Sequence, residues 1–142
     1  MESPSTVARM KTLRRCPVFS ELPEPTLAFL AEILRPQRFA PGETICAQGE
    51  PATEIFVIEH GTLSVRKRGV RESIGSMQEG ELFGEYGMFG RGVRLTTVVA
   101  ETESVLLVLD YDHFRRFLLG SPESSLALLE VAVRRFVHPD EI

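Results

Sequence analysis

Between about residue 37 and residue 110 the sequence breaks into short apolar or alternating runs: "GETICA", "EIFVIE", "TLSVRK", "ESIGSM", "TTVVAE" and "SVLLVLD". Pro41-Gly42, Gly49 and Gly61 punctuate them. Short runs separated by turn residues read as strands, and strands recurring at such short intervals suggest a closed or double-sheet β architecture. Leu63 and Val65 alternate with Thr62, Ser64 and Arg66, the pattern of a half-buried strand. Residues 55–58 are continuously apolar, which predicts a strand covered on both faces. Helical signals flank the series. Residues 24–34, "EPTLAFLAEIL", place Leu27, Leu30 and Leu34 at spacings of three and four, and Pro36 stops that helix. Asp110 caps a helix over Tyr111–Leu119 that Gly120 terminates. Ser121 caps a second helix, about 122–137, with Pro122 first. Leu126, Leu129, Val133 and Phe136 form one stripe along it. The residues alone give an α+β domain, a β-sandwich with flanking helices.

A chain of 142 residues suits one domain with a sizeable core, and 43% hydrophobic with 25% charged residues is ordinary for a soluble globular protein. The aliphatic run 105–109 is far too short to span a bilayer, and the N-terminal residues have no apolar core of a secretory signal. A cytoplasmic protein without a membrane segment is expected, its residues 1–16 an N-terminal tail or helix. The net charge of −4 argues against nucleic-acid binding, and the basic clusters at 9–15 and 66–71 read as solvated faces. Cys16 and Cys46 read as reduced thiols outside any metal-ligand spacing, and His60, His113 and His138 lie far apart. No metal, no cofactor and no nucleophile–base pairing is indicated, so an enzyme is not expected.

Chemistry concentrates in residues 83–94, "FGEYGMFGRGVR". Gly84 follows the apolar pair Leu82 and Phe83, where a glycine lets backbone approach a ligand closely. Residues 85–89 are long enough for one helical turn, whose first N–H groups favour an anion. Arg94 adds fork-shaped donors suited to phosphate. The Glu85 carboxylate would repel a phosphate, so it either accepts from a sugar hydroxyl or orients Arg94 through an ion pair. On spacing alone the same residues also suit an ordinary glycine-rich turn with surface charges.

Residues 17–136 resemble the cyclic-nucleotide-binding domain family. "TEIFVIEHGTLSV" resembles its strand–glycine–strand signature, and "GELFGEYGMFGRGVRLTTVVAETESVLLVLDYDHFRRFL" its phosphate-binding cassette, following strands and helix. The specific part is Phe83-Gly84-Glu85 followed nine positions after Glu85 by Arg94-Leu95-Thr96-Thr97-Val98. The resemblance implies an eight-stranded double-sheet jelly roll with flanking N- and C-terminal helices, spanning 17–137. It implies that Arg94 pairs with the cyclic phosphate and that Gly84 and Glu85 meet the ribose 2′-hydroxyl. Backbone N–H groups near Tyr86 and Leu95 would complete the cradle, and Phe83 and Thr96 belong to the same site. Tyr86, Gly87, Val93 and Thr96 depart from the residues usual in the family. Leu95 lacks the hydroxyl often found there in members that prefer cGMP, which favours cAMP as ligand, with cGMP the alternative. The last helix resembles the family's lid, on which Arg135 either stacks on the purine or joins Arg134 as a solvated pair. The implied function is a non-enzymatic sensor that signals by repacking its C-terminal helices. The alternative is a structural or interaction module with an unoccupied or altered pocket. The apolar stripe of the last helix would serve a second copy or an effector domain. The 142 residues leave no room for a DNA-binding helix-turn-helix after the lid.

Overall fold

In the computed structural model, which describes residues 4–136, eight strands form two four-stranded antiparallel sheets of a jelly roll. One sheet has the order β1 (Arg35–Phe39), β8 (Ser104–Asp110), β3 (Glu54–His60), β6 (Leu82–Phe83). The other has β2 (Thr44–Cys46), β7 (Thr97–Ala100), β4 (Leu63–Arg66), β5 (Gly75–Met77). The runs expected as strands are all present in part. β1 and β6 add to them, one containing a proline and the other only two residues long. Pro36 is tolerated because β1 lies at a sheet edge, where a missing N–H need not serve a second neighbour.

The continuously apolar run behaves as expected. β3 and β8 pair in register, Ile55 opposite Leu109 through Ile58 opposite Leu106. Side chains alternate sides along a strand, so one run supplies two cores. Phe56, Ile58, Leu106 and Val108 point between the sheets and meet Leu63, Met77, Phe83 and Val98. Ile55, Val57, Leu107 and Leu109 point to the other face and meet the helices. Each such aliphatic side chain contributes roughly 1.5–3 kcal/mol of burial. Ser64, expected on the polar face of its strand, is buried as well.

The helices cover the second face of the first sheet. Residues Pro4–Arg15 form α1, whose Met10 and Leu13 join Leu27, Leu30 and Ala31 of α2 (Glu24–Ile33) in one core. The basic residues of α1 are not simply solvated. Arg9 Nη1 donates to the carbonyls of Ala31 at 3.0 Å and Leu34 at 3.4 Å, supplying a donor to the C-terminal end of α2. Arg14 Nη1 donates to the Leu22 carbonyl at 3.0 Å.

α4 is Tyr111–Leu119, with the Asp110 carboxylate accepting from the His113 N–H at 2.9 Å as the capping residue. Phe114 and Phe117 pack around Phe19 and anchor α4 to the α1–α2 connection. α5 is Pro122–Phe136; Val137, placed in this helix by the sequence reading, lies outside the described residues, as does the side chain of Phe136. Three members of the apolar stripe of α5 face largely outward. Leu126 and Leu129 are each 58% exposed and Val133 is 48% exposed, while Leu128 turns inward. No described helix is long and apolar enough to cross a membrane.

Candidate functional site

The 83–94 segment is a shaped loop. β6 ends with Phe83 stacked on Phe56 at 4.9 Å between ring centroids. Gly84 follows with φ +97°, a left-handed conformation costly for any side chain. A Cβ there would lie 2.8 Å from Arg94 Nη1 and 2.9 Å from the Glu54 carbonyl oxygen. The single helical turn expected after it is α3 (Tyr86–Phe89). The rest of the loop is tied to the strand connection before β3. Ala52 N–H donates to the Gly92 carbonyl, Arg94 N–H to the Glu50 carbonyl and Gly49 N–H to the Arg94 carbonyl, each at 2.8 Å. Gly87, a departure from the family pattern, has a packing reason. A Cβ on it would lie 2.4 Å from Ala52 Cβ and 2.7 Å from the Tyr111 hydroxyl oxygen.

Arg94 is only 9% exposed. Its Nη2 donates to the Glu54 carbonyl at 3.0 Å, and its Nη1 to the Gly84 carbonyl at 3.3 Å and the Tyr111 hydroxyl at 3.4 Å. The guanidinium carbon lies 5.3 Å from the centroid of the Phe56 ring, in cation–π range. Among the described residues it makes no ion pair. A nearly buried cation held by neutral groups keeps its full charge for an incoming anion.

A cavity of about 320 Å³ opens beside it, lined by Phe83, Gly84, Tyr86, Arg94, Leu95, Thr96 and Arg135, with Cys46, Val65 and Ile74 on the apolar wall. All the residues expected at the site meet there except Glu85. That carboxylate is 1% exposed and borders a separate groove of about 530 Å³ between α3, α4 and α5. It does not orient Arg94. Its Oε1 accepts from Arg135 Nη1 at 3.1 Å, and its buried Oε2 has no hydrogen-bond partner among the described residues. Burial raises the Glu85 carboxyl above its ordinary range, an effect that the Arg135 charge opposes. Burial, and after it the Glu85 charge, push the Tyr86 hydroxyl up to about 12.

Arg135 forms no solvated pair with Arg134. It borders the cavity and also donates from Nη2 to the Leu82 carbonyl, so α5 is fastened to the loop at both ends of the Phe83–Glu85 step. The Thr97 hydroxyl oxygen accepts from the Gln48 N–H at 2.9 Å. Sequence reasoning missed Tyr111, Phe56 and the carbonyls that hold Arg94. Backbone acceptors carry no sequence signal, and Tyr111 reads simply as the first residue of a capped helix.

The family model described as the cyclic nucleotide-binding domain matches residues 36–121. The "CRP-like cAMP-activated global transcriptional regulator" of Mycobacterium tuberculosis is 30% identical over 126 residues, which cover 87% of this chain and 56% of the regulator. The human "Potassium/sodium hyperpolarization-activated cyclic nucleotide-gated channel 3" is 31% identical over 122 residues, covering 86% of this chain and 16% of the channel. Among solved structures, the N-terminal domain of a transcriptional regulator from Streptomyces coelicolor A3(2) matches with a TM-score of 0.70 at 30% identity, covering 87% of this chain and 88% of that one. The chain thus spans about half the length of the mycobacterial regulator and a small part of the channel.

Proposed function

This chain belongs to the cyclic nucleotide-binding domain family, and we propose that its residues 17–137 form a regulatory sensor that binds a cyclic nucleotide monophosphate, cAMP in preference to cGMP, in the cavity beside Arg94. One observation carries this reading: an almost buried guanidinium without a carboxylate partner among the described residues lines a cavity at a glycine that lets backbone come close. The cyclic phosphate takes the Nη1 side of Arg94, where the present contacts are longest. Shielded charge-assisted bonds of this kind contribute about 1.5–3 kcal/mol each. N–H groups near Tyr86 and Leu95 complete the cradle.

Glu85 accepts from the ribose 2′-hydroxyl once it leaves Arg135. Ribose and Arg135 therefore compete for one carboxylate. Occupancy releases one fastening of α5, and this differential contact lets the ligand shift the position of the helix. Leu95 offers no hydroxyl to a guanine, and the neighbouring Thr97 oxygen is engaged by Gln48, both of which favour cAMP. The protein acts by binding rather than by catalysis. The exposed Leu126, Leu129 and Val133 receive a second copy or an effector domain.

Calorimetric titration of the folded protein with cAMP and with cGMP tests this reading. Heat with tighter binding of cAMP is expected, and absence of heat at millimolar nucleotide would overturn it. The competing reading, an interaction module with an altered pocket, draws support from Glu85 facing away from the cavity. Under it the melting temperature is indifferent to cAMP, whereas a native-state ligand at a hundredfold its Kd stabilises by about 2.7 kcal/mol.

A further inference from the structure

We infer that Tyr111 is a positioning residue for Arg94, setting the direction of the guanidinium through its hydroxyl and joining the anion site to the first turn of α4. The inference rests on the reading that Arg94 receives the ligand phosphate. Tyr111 stands where β8 ends and α4 begins, and its backbone is fixed there. Its N–H donates to the Thr53 carbonyl at 2.9 Å, the preceding residue pairs with Glu54, and that same Asp110 caps the helix.

From this place the side chain reaches back to the loop that carries the family motif. The hydroxyl donates to the Gly84 carbonyl and accepts from Arg94 Nη1 at 3.4 Å. A phenol has one proton, so donation to Gly84 turns its lone pairs toward the guanidinium. The same oxygen thereby occupies the Gly84 carbonyl and leaves Nη1 with two long contacts rather than one firm one. Nη2 remains on the Glu54 carbonyl at 3.0 Å. Arg94 is thus held in direction before an anion arrives, firmly through Nη2 and loosely through Nη1, and the two long Nη1 contacts are the ones a phosphate would replace.

Gly87 belongs to this arrangement. The 2.7 Å that a Cβ would leave to the Tyr111 oxygen means that the hydroxyl occupies the space a side chain at 87 would need. Ala52 Cβ, 2.4 Å from the same point, is nearer still, so Gly87 makes room for Ala52 and for the Tyr111 hydroxyl together. Burial raises the Tyr111 hydroxyl above its ordinary range, with Arg94 acting in the opposite sense, so it stays a neutral donor and acceptor at physiological pH.

The test is Tyr111→Phe, which deletes the hydroxyl and keeps the ring in the core, with circular dichroism confirming that the variant is folded. In the nucleotide-free protein, exchange of the Arg94 Nη protons with water, followed by nitrogen-detected NMR, is expected to accelerate by about threefold or more as one acceptor is lost. In calorimetry, cAMP affinity is expected to fall about fivefold, the scale of one hydrogen bond. In an Arg94→Ala background the same change is expected to leave affinity unaltered, because the hydroxyl acts through the arginine. Unchanged proton exchange would overturn the inference. So would a fivefold loss that persists without Arg94, because it would make the role of Tyr111 structural. A wild-type protein that takes up no cAMP would refute the nucleotide reading instead, and the exchange measurement would then decide the inference by itself.

Discussion

Arg135→Ala would strand the Glu85 carboxylate. Glu85 is 1% exposed, its Oε1 has Arg135 Nη1 at 3.1 Å, and its Oε2 has no hydrogen-bond partner among the described residues. Breaking a fully buried pair typically destabilises by about 3–5 kcal/mol. Arg135 keeps 23% of its side chain in solvent, so screening lowers the expected loss at pH 7 to about 2–3 kcal/mol. For a domain of this length that corresponds to a melting temperature lower by roughly 6–9 °C.

The effect has a direction with pH. Burial already raises the Glu85 carboxyl in the folded protein, and Arg135 opposes that rise. Without Arg135 it rises further. A carboxyl raised in the folded state favours folding below its unfolded value, ordinarily near 4.5, and loses that advantage as pH climbs through the folded value. The variant loses it over a wider interval, so its deficit is largest at pH 7 and narrows toward pH 4.5, where Glu85 is increasingly protonated in both proteins. Thermal melts of wild type and Arg135→Ala at pH 4.5, 5.5 and 7 measure it, with the exposed neighbour Arg134→Ala as control. A deficit equal at all three pH values, or none at pH 7, would refute the reasoning.

Arg94→Ala is expected to weaken cAMP binding at least about tenfold by calorimetry, since a charge-assisted contact is lost; unchanged affinity would mean that Arg94 does not meet the phosphate. Gly84→Ala combines φ +97° with a Cβ 2.8 Å from Arg94 Nη1, and urea denaturation should register a loss of roughly 1–3 kcal/mol or more. Leu95→Thr should raise the affinity for cGMP relative to cAMP, read by competition with a fluorescent cyclic nucleotide; an unmoved ratio would remove position 95 from base selection.

Residues 55–58 announce a strand covered on both faces because each of them is apolar, and the two cores follow from side-chain alternation alone. Asp110, Gly120 and Pro122 mark the ends of α4 and α5 through local chemistry that needs no knowledge of the fold. Leu82 and Phe83 do not announce β6, since two residues carry no periodicity and their pairing with Val57 and Phe56 is supplied by the sheet. Neither does α1 stand out, for its buried Met10 and Leu13 sit among polar residues that α2 and the connection to it then engage. The proposed role of Arg94 is legible in its nine-position step from Glu85 only through the family resemblance, since spacing alone suits an ordinary glycine-rich turn as well. The partner of Glu85 is not, because Arg135 lies 50 positions away and either of its expected roles left the carboxylate out. Gly87 is visible as an oddity, but its reason requires Ala52 and Tyr111 to be brought to the same point.

The three backbone hydrogen bonds between residues 49–52 and 92–94 have a thermodynamic consequence. A glycine-rich loop that settles only around its ligand loses roughly 1–2 kcal/mol of conformational entropy per ordered residue at the moment of binding. Here the loop is clasped to its neighbour before any nucleotide arrives, and that loss is met during folding. Under the proposed function, association would then draw little on ordering the cradle, and the free energy of a phosphate contact would be left to move α5.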